Sequence, residues 1–461
     1  MRTDTAMRRI GDLRLATIIE TGFTVLVMYM LSEGPVAPSL IPPQGSTVAD
    51  APTAMAATNV ILFGPIYVIL VIMLLKHARS SWQTATADVL LVLLLGLMLA
   101  STAWSTAPDI TLRRALGVIG TTLFAVYITR RYPTEKWIAL LGWALGMNVL
   151  CNLLILMAHP GLAGTGEFNG VFSHKNTLGR MMALSGIVLV LISWMRRSMR
   201  ALVCAGIATV VLLAAGSATA LVVLVTVLSV IPLLKTLGKD VRAVVVIGVF
   251  AILGIATALM YGASNPQGAA AIVGKDVTLT GRTVLWHVLL GMIRERPVLG
   301  YGYNAFWSQE YAAGISVGGW MPTQAHNGYI DLSLDLGLVG VATFILAIIR
   351  GAFRAVRHFR REGTPASLWP LMFLCFLALY NMSESTNLAP QSLFWMLFSA
   401  ALMTVAPAVA RRNRRGVAEL IYPRPDAEHI GASAVPSETV GGARGPRLAR
   451  ARGGSTGEHL Q

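Results

Sequence analysis

Three short stretches of this chain carry strong donors and proton-transfer groups within an otherwise apolar sequence. They are Phe172-Ser173-His174-Lys175-Asn176-Thr177-Leu178-Gly179-Arg180, Thr280-Gly281-Arg282-Thr283-Val284-Leu285-Trp286, and Ala325-His326-Asn327-Gly328-Tyr329. Arginine offers a planar fork of donors that matches phosphate oxygens and stays charged. Histidine exchanges protons near neutral pH. Gathered at a membrane surface, such groups suit a lipid-linked diphosphate. Preorganised cations would stabilise the charge developing on a departing diphosphate, and a histidine would take the proton of an acceptor hydroxyl. His326 is the stronger candidate base, because it stands at a loop-to-helix junction. Arg282 falls in the first turn of its expected helix, where unpaired backbone N–H groups also favour an anion. Asp331 and Asp335 follow Asn327 at i+4 and i+8. That helical face either supports the site or is a structural polar face inside a bundle.

Other chemistries find no footing. Gly164-Thr165-Gly166 and Gly300-Tyr301-Gly302 lack the strand-turn-helix setting of a phosphate loop. No metal-ligand set is apparent, since His174 and His326 belong to separate segments without a carboxylate cluster. Cys151, Cys204 and Cys375 sit far apart in apolar stretches, which suits small buried hydrophobes rather than a disulfide framework. No inside segment except the disordered tail is long enough for a folded sugar-nucleotide domain.

The elements that must position these residues are membrane helices. The 461 residues are 55% hydrophobic and 13% charged, against about 25% charged in soluble domains. The net charge of +15 does not point to nucleic acid, which would need one continuous basic face; the basic residues here come in small clusters between apolar runs. Runs of roughly 20 apolar residues mark membrane spans, and the sequence predicts twelve: 14–32, 55–75, 87–104, 112–129, 137–158, 178–195, 200–216, 218–234, 243–261, 329–349, 367–384 and 391–410. The seventh and eighth are separated only by Gly216-Ser217, yet one helix of their combined length would overshoot a bilayer. The apolar run after Arg14 is too long for a signal peptide and is read as a retained first helix.

With the N-terminus inside, 24 Lys and Arg fall on inside segments and eight on outside ones, namely Arg113, Arg114, Lys175, Arg180, Lys275, Arg282, Arg294 and Arg296. This is the alternation of the positive-inside rule, and it puts all three chemical stretches on the outer face. The expected fold is therefore all-α, a polytopic integral membrane protein of about twelve spans. A membrane domain covers 1–410, with a large outer loop at 262–328, and 411–461 forms a disordered, basic cytoplasmic tail. Within the loop, Leu285, Val288, Leu289, Met292 and Ile293 form one helical stripe that Pro297 closes, so a short amphipathic helix is expected on the outer surface.

In this order and on this scaffold, the motifs resemble the O-antigen ligase and exopolysaccharide polymerase superfamily of bacterial envelope enzymes. Phe172 to Arg180 looks like the HKN–LGR segment of its exopolysaccharide-production branch. Thr280-Gly281-Arg282 to Trp286, followed by Arg296-Pro297-Val298-Leu299-Gly300-Tyr301-Gly302, looks like its GR–W and RP–GYG segment, and His326-Asn327 with Gly337-Leu338-Val339-Gly340 looks like its HN–GLVG segment. Trp104-Ser105 with Pro108 and Arg113-Arg114 fits the same branch.

The resemblance covers about residues 85–405. It implies a metal-independent, inverting glycosyltransferase without a cofactor, placed in the inner membrane with its site facing the periplasm. The implied donor is a polyprenyl-diphosphate-linked glycan, and the acceptor a glycan or lipid. Further partners would be membrane lipid and other polysaccharide assembly and export proteins, and nucleic acid is not expected. Arg282 would hold the diphosphate and His326 would be essential near the acceptor. Lys175, Arg180, His174, Asn176, Trp286, Asn327, Arg113 and Arg114 would contact substrate. Ligases of the family often carry an Arg where this chain reads Ser217-Ala218-Thr219, so a second phosphate-binding cation must come from elsewhere, Lys175 or Arg180. That departure favours polymerisation over ligation to lipid A. The alternative from another class is a polysaccharide or lipid transporter, which would place polar groups near the midplane; here Glu20 is the clearest mid-span charge.

Overall fold

The structure is a computed structural model, and it describes residues 2–33, 51–163, 168–236, 280–308, 315, 321–386, 389–407 and 409. The ninth expected span, the first part of the outer loop and the tail lie outside these residues. The described part is helical, with no strand among the described residues. In chain order the helices are α1 (Arg2–Leu31), α2 (Ala51–Leu75), α3 (Ala78–Ala85), α4 (Val89–Ala100), α5 (Pro108–Arg131), α6 (Thr134–Ala158), α7 (Lys175–Arg196), α8 (Met199–Ala215), α9 (Ala218–Thr236), α10 (Thr280–Glu295), α11 (Gly328–Glu362), α12 (Trp369–Tyr380) and α13 (Leu393–Val405).

Among the described residues, α5, α6, α7 and α11 are long and apolar enough to cross a membrane, and α2 with α3 form one bent pair that could be a fifth span. Leu15–Leu31, Val89–Ala103, Met199–Ala215, Ala218–Ser229, Pro365–Tyr380 and Leu393–Val405 are shorter apolar helices. Gly216, in the left-handed conformation, ends α8. The chain therefore breaks between the seventh and eighth apolar runs, as the sequence predicts.

Which helices face lipid follows from their exposure. Ile18, Ile19, Val60, Ile61, Val89, Trp143, Leu150, Val203 and Leu213 are all more than half exposed. In water such a surface would drive association; against lipid tails it costs nothing. Every residue of α13 is buried, as is all of α12 except Cys375. These two helices are apolar all round and form the interior. Phe376 stacks on Tyr380 and on Phe394 across their contact. α11 and α9 pack on α12, and α5 packs on α13.

α11 is not one straight rod. At Gly337 (φ 62°, ψ −167°) the backbone leaves the helix, in a region open essentially to glycine. The segment 297–302 supplies the hydrogen bonds that the break removes. Tyr301 and Gly302 donate their N–H groups to the carbonyls of Leu334 (2.7 Å) and Asp335 (3.0 Å), while the carbonyls of Pro297 and Val298 accept from Leu338 (2.8 Å) and Val339 (3.3 Å). A side chain at 337 would collide with the Val298 carbonyl and come within 2.6 Å of the Leu299 nitrogen. The same segment is gripped from its other side: Trp104 Nε1 donates to the Leu299 carbonyl (3.1 Å), and Thr106 N donates to the Tyr301 carbonyl (2.9 Å).

Candidate functional site

His326, Arg282 and Asn176, one from each chemical stretch, meet on a fourth segment, the turn Asn381–Thr386 that follows α12. Its Glu384 is 6% exposed. Arg282 Nη2 donates to Glu384 Oε1 at 2.9 Å, and Asn176 Nδ2 donates to the same oxygen at 2.6 Å. His326 Nδ1 lies 3.3 Å from Glu384 Oε2. A carboxylate only accepts, so Nδ1 carries the proton in this contact. Gln324 Nε2, at 3.5 Å from the same nitrogen, is at the limit of hydrogen bonding.

Each of these side chains is held by its own element. His174 caps α7, its Nδ1 accepting from Asn176 N at 3.1 Å. Lys175 and Asn176 thereby occupy the first turn, and the Asn176 carbonyl accepts from the Tyr380 hydroxyl at 2.9 Å. Arg282 lies in the first turn of α10, as expected, and Leu285 and Leu289 of that helix are buried in a small core with Tyr301, Phe306, Ile315, Ala325 and Leu334. Arg282 Nη1 also donates to the Ser383 carbonyl at 2.7 Å. Asn327 caps α11, accepting from Tyr329 N (3.0 Å) and Ile330 N (3.3 Å), and its Nδ2 donates to the Met382 carbonyl (3.1 Å). His326, just before that cap, has φ 51°. A left-handed non-glycine residue is a costly conformation, held by its surroundings. Trp286 Nε1 donates to the Ala325 carbonyl at 2.7 Å, beside His326.

The electrostatics follow from this crowding. Burial by itself would push the Glu384 carboxyl up, but the bond to His326 and the charge of Arg282 outweigh it, and the group is held below the ordinary carboxylate range. Burial moves His174 the other way, lowering its imidazole, with Glu384 opposing and His326, Lys175 and Arg282 adding to the shift. These interactions put His174 within electrostatic reach of Glu384, His326, Arg282 and Lys175.

The other candidates lie outside the Glu384 group. Arg180 pairs with Glu33 (2.8 Å) and stacks over Phe394 (5.4 Å), at the border of the site. Arg114 donates to the Asn304 carbonyl at 2.6 Å, near Tyr303 and Asp335. Arg113 is exposed on α5. Asp331 and Asp335 part company as well. Asp331 takes bonds from Trp307, Ala325 and Ser385, whereas Asp335 sits with Tyr303, Asn304 and Arg114. Thr219, in the stretch where an Arg was expected by resemblance, accepts from the Ser383 hydroxyl at 3.2 Å. That stretch therefore abuts the site but brings a hydroxyl to it. Among the described residues no group of His, Cys, Asp and Glu could hold a metal ion.

Glu384 was not among the sequence candidates. The signal was present in Ser383-Glu384-Ser385, an acidic residue beside small polar ones where an apolar run ends. A search built on cations and histidine passes over it.

Two comparisons bear on this geometry. Residues 171–345 match a family model described as O-antigen ligase; this range holds Asn176, Arg282 and His326 and stops before Glu384. The chain is also 25% identical over 341 residues to the exopolysaccharide production protein ExoQ of Rhizobium meliloti (strain 1021), covering 69% of this chain and 76% of that protein.

Proposed function

We propose that this chain, which matches an O-antigen ligase family model over residues 171–345 and is similar to an exopolysaccharide production protein, is an integral membrane enzyme of that superfamily and polymerises polyprenyl-diphosphate-linked oligosaccharide units into exopolysaccharide or O-antigen. The observation that carries the reading is the convergence of Arg282, Asn176 and His326 on one buried carboxylate. A cation, an amide donor and a proton acceptor meet at the mouth of the helices.

In the proposed reaction the acceptor hydroxyl oxygen attacks the anomeric carbon of the lipid-linked sugar. The bond from that carbon to the diphosphate oxygen breaks, and its electron pair leaves with the diphosphate. Arg282, which has more donors than its two bonds use, stabilises the leaving charge, and Lys175 and Arg180 are the further cations proposed to meet the diphosphate. His326 takes the hydroxyl proton. With Nδ1 turned to Glu384, that exchange falls to Nε2, and Glu384 stabilises the imidazolium that results. One displacement inverts the anomeric centre, and no step calls for a metal ion.

The setting proposed with this reading is a bundle of twelve spans over 1–410, with loop 262–328 and the site on the periplasmic side of the inner membrane and the tail 411–461 in the cytoplasm. The charge alternation of the sequence supports it. The relative's name, an exopolysaccharide production protein, and the hydroxyl of Thr219 in place of a cation favour polymerisation. The name of the matched family model favours the second reading, transfer of a finished glycan to lipid A or another acceptor.

The deciding experiment incubates purified protein with a polyprenyl-diphosphate oligosaccharide and resolves the products by length. A ladder of repeat units is expected. A single adduct on an added lipid acceptor would establish ligation instead, and intact donor under all conditions would remove the glycosyl-transfer reading.

A further inference from the structure

We propose that Asp331 is a positioning residue whose carboxylate holds His326 opposite Glu384; this rests on the reading of His326 as the proton acceptor. Three donors from three separate segments converge on it. Trp307 Nε1 donates to Oδ1 at 2.7 Å. Ala325 N lies 3.0 Å from Oδ1 and 3.2 Å from Oδ2. The Ser385 hydroxyl donates to Oδ2. Ala325 immediately precedes His326, and Ser385 immediately follows Glu384. One carboxylate therefore ties the backbone next to the histidine to the side chain next to its partner.

The histidine needs such a tie. With φ 51° it occupies a region costly to a non-glycine residue, one that persists only where its surroundings over-determine it. The surroundings here grip both sides. The Ala325 peptide is held at its N–H by Asp331 and at its carbonyl by Trp286, and Gly328 N donates to the carbonyls of Asn381 (2.8 Å) and Glu384 (3.2 Å). The His326–Glu384 contact, at 3.3 Å, is long for a charge-assisted bond, and a further displacement of a few tenths of an ångström would break it. Asp331 is suited to the task because it stands in the first turn of α11, a rigid element whose N-terminal end favours an acid. A carboxylate, which only accepts, is also what three inward-pointing donors need. Asparagine would turn its NH2 towards one of them.

The test uses full-length protein with histidine labelled with 15N, and the polyprenyl-diphosphate oligosaccharide as donor. In Asp331→Asn, turnover is expected to fall about 10²-fold, the scale set by misplacing a reacting group by roughly an ångström. The donor KM should stay within about threefold, because Arg282 and Asn176 are untouched. The His326 Nδ1 resonance should move towards its position in Glu384→Gln, and Asp331→Glu should recover part of the turnover. A merely structural role would lower the melting temperature and leave kcat per folded molecule and the Nδ1 resonance at their wild-type values; that result overturns the proposal. Should Asp331→Asn fail to fold, Ser385→Ala and Trp307→Phe each remove one arm. Both must shift the Nδ1 resonance in the same direction, and two unchanged spectra overturn the proposal equally. The functional reading fails separately. A fully active His326→Ala protein removes the proton-acceptor role, and the resonance still decides what Asp331 does.

Discussion

The turn around Glu384 and the break at Gly337 are built from the same kind of sequence, short motifs with glycine, histidine, asparagine and aromatic residues, and both join segments far apart in the chain. They differ in what makes the joint. At Glu384 the bonds run mostly through side chains and involve charge: Arg282, Asn176 and His326 to a carboxylate, and Ser385 to Asp331. At Gly337 they run mostly from backbone to backbone, with segment 297–302 completing the broken helix. The first joint depends on which functional groups are present, the second on where a backbone can go. Motif residues of the two regions should therefore fail in different ways, chemistry at one and folding at the other.

The largest effect that would separate them is at His326. Replacing it with Ala should cut turnover by about 10²–10⁴, the contribution of a general base, with the melting temperature in detergent nearly unchanged. A similar loss accompanied by collapse of the melting temperature would erase the distinction between the regions. Next in size is Gly337→Ala, which forces a side chain onto the Val298 and Leu299 backbone in a glycine-only conformation. A stability loss of about 3 kcal/mol or more is expected, read as low folded yield or early melting, while the protein that does fold keeps its turnover.

Glu384→Gln sharpens the comparison from the other side. It keeps the shape and removes the charge, so turnover should fall roughly 10–10²-fold, and breaking one half of a buried ion pair should also cost stability. The pH dependence has a definite sign. Because the folded carboxyl titrates below its ordinary range, its contribution is present above the unfolded-state value and is lost as pH falls through the lowered one. The wild type should therefore lose this contribution progressively as pH falls from the usual glutamate titration range towards the lowered folded value, whereas Glu384→Gln should show no such limb in a melting-temperature profile against pH. The smallest effect is predicted at Arg113, a sequence candidate that the structure leaves exposed on α5. Arg113→Ala should stay within about 0.5 kcal/mol in stability and at wild-type turnover. A large loss of turnover would return Arg113 to the site.

Much of the candidate site could be read from the chain. Arg282 and His326 were legible because a charged or proton-transfer group between apolar runs is uncommon and needs a reason, and Asn176 because it shares a short polar stretch with His174 and Lys175. The amphipathic stripe of α10 was legible because Leu285 and Leu289 repeat with the helical period, and they are the buried members. Asp335 and Asp331 were not separable, since spacing along a helix places both on one face. Only the break and the neighbouring loops show that one serves the Glu384 turn and the other lies beside Tyr303 and Arg114.

The sequence by itself determined the helical, membrane-embedded character of this protein and its candidate reactive groups, because apolar length and side-chain chemistry are local properties. The tertiary structure alone decided that Glu384 would be the meeting point, that His326 would adopt a left-handed backbone, and that α11 would open at Gly337 to admit residues 297–302. Each of these is an agreement between segments tens to hundreds of residues apart. A buried carboxylate is tolerable only when its partners arrive from elsewhere, and a broken helix only when another strand of backbone satisfies its unpaired groups.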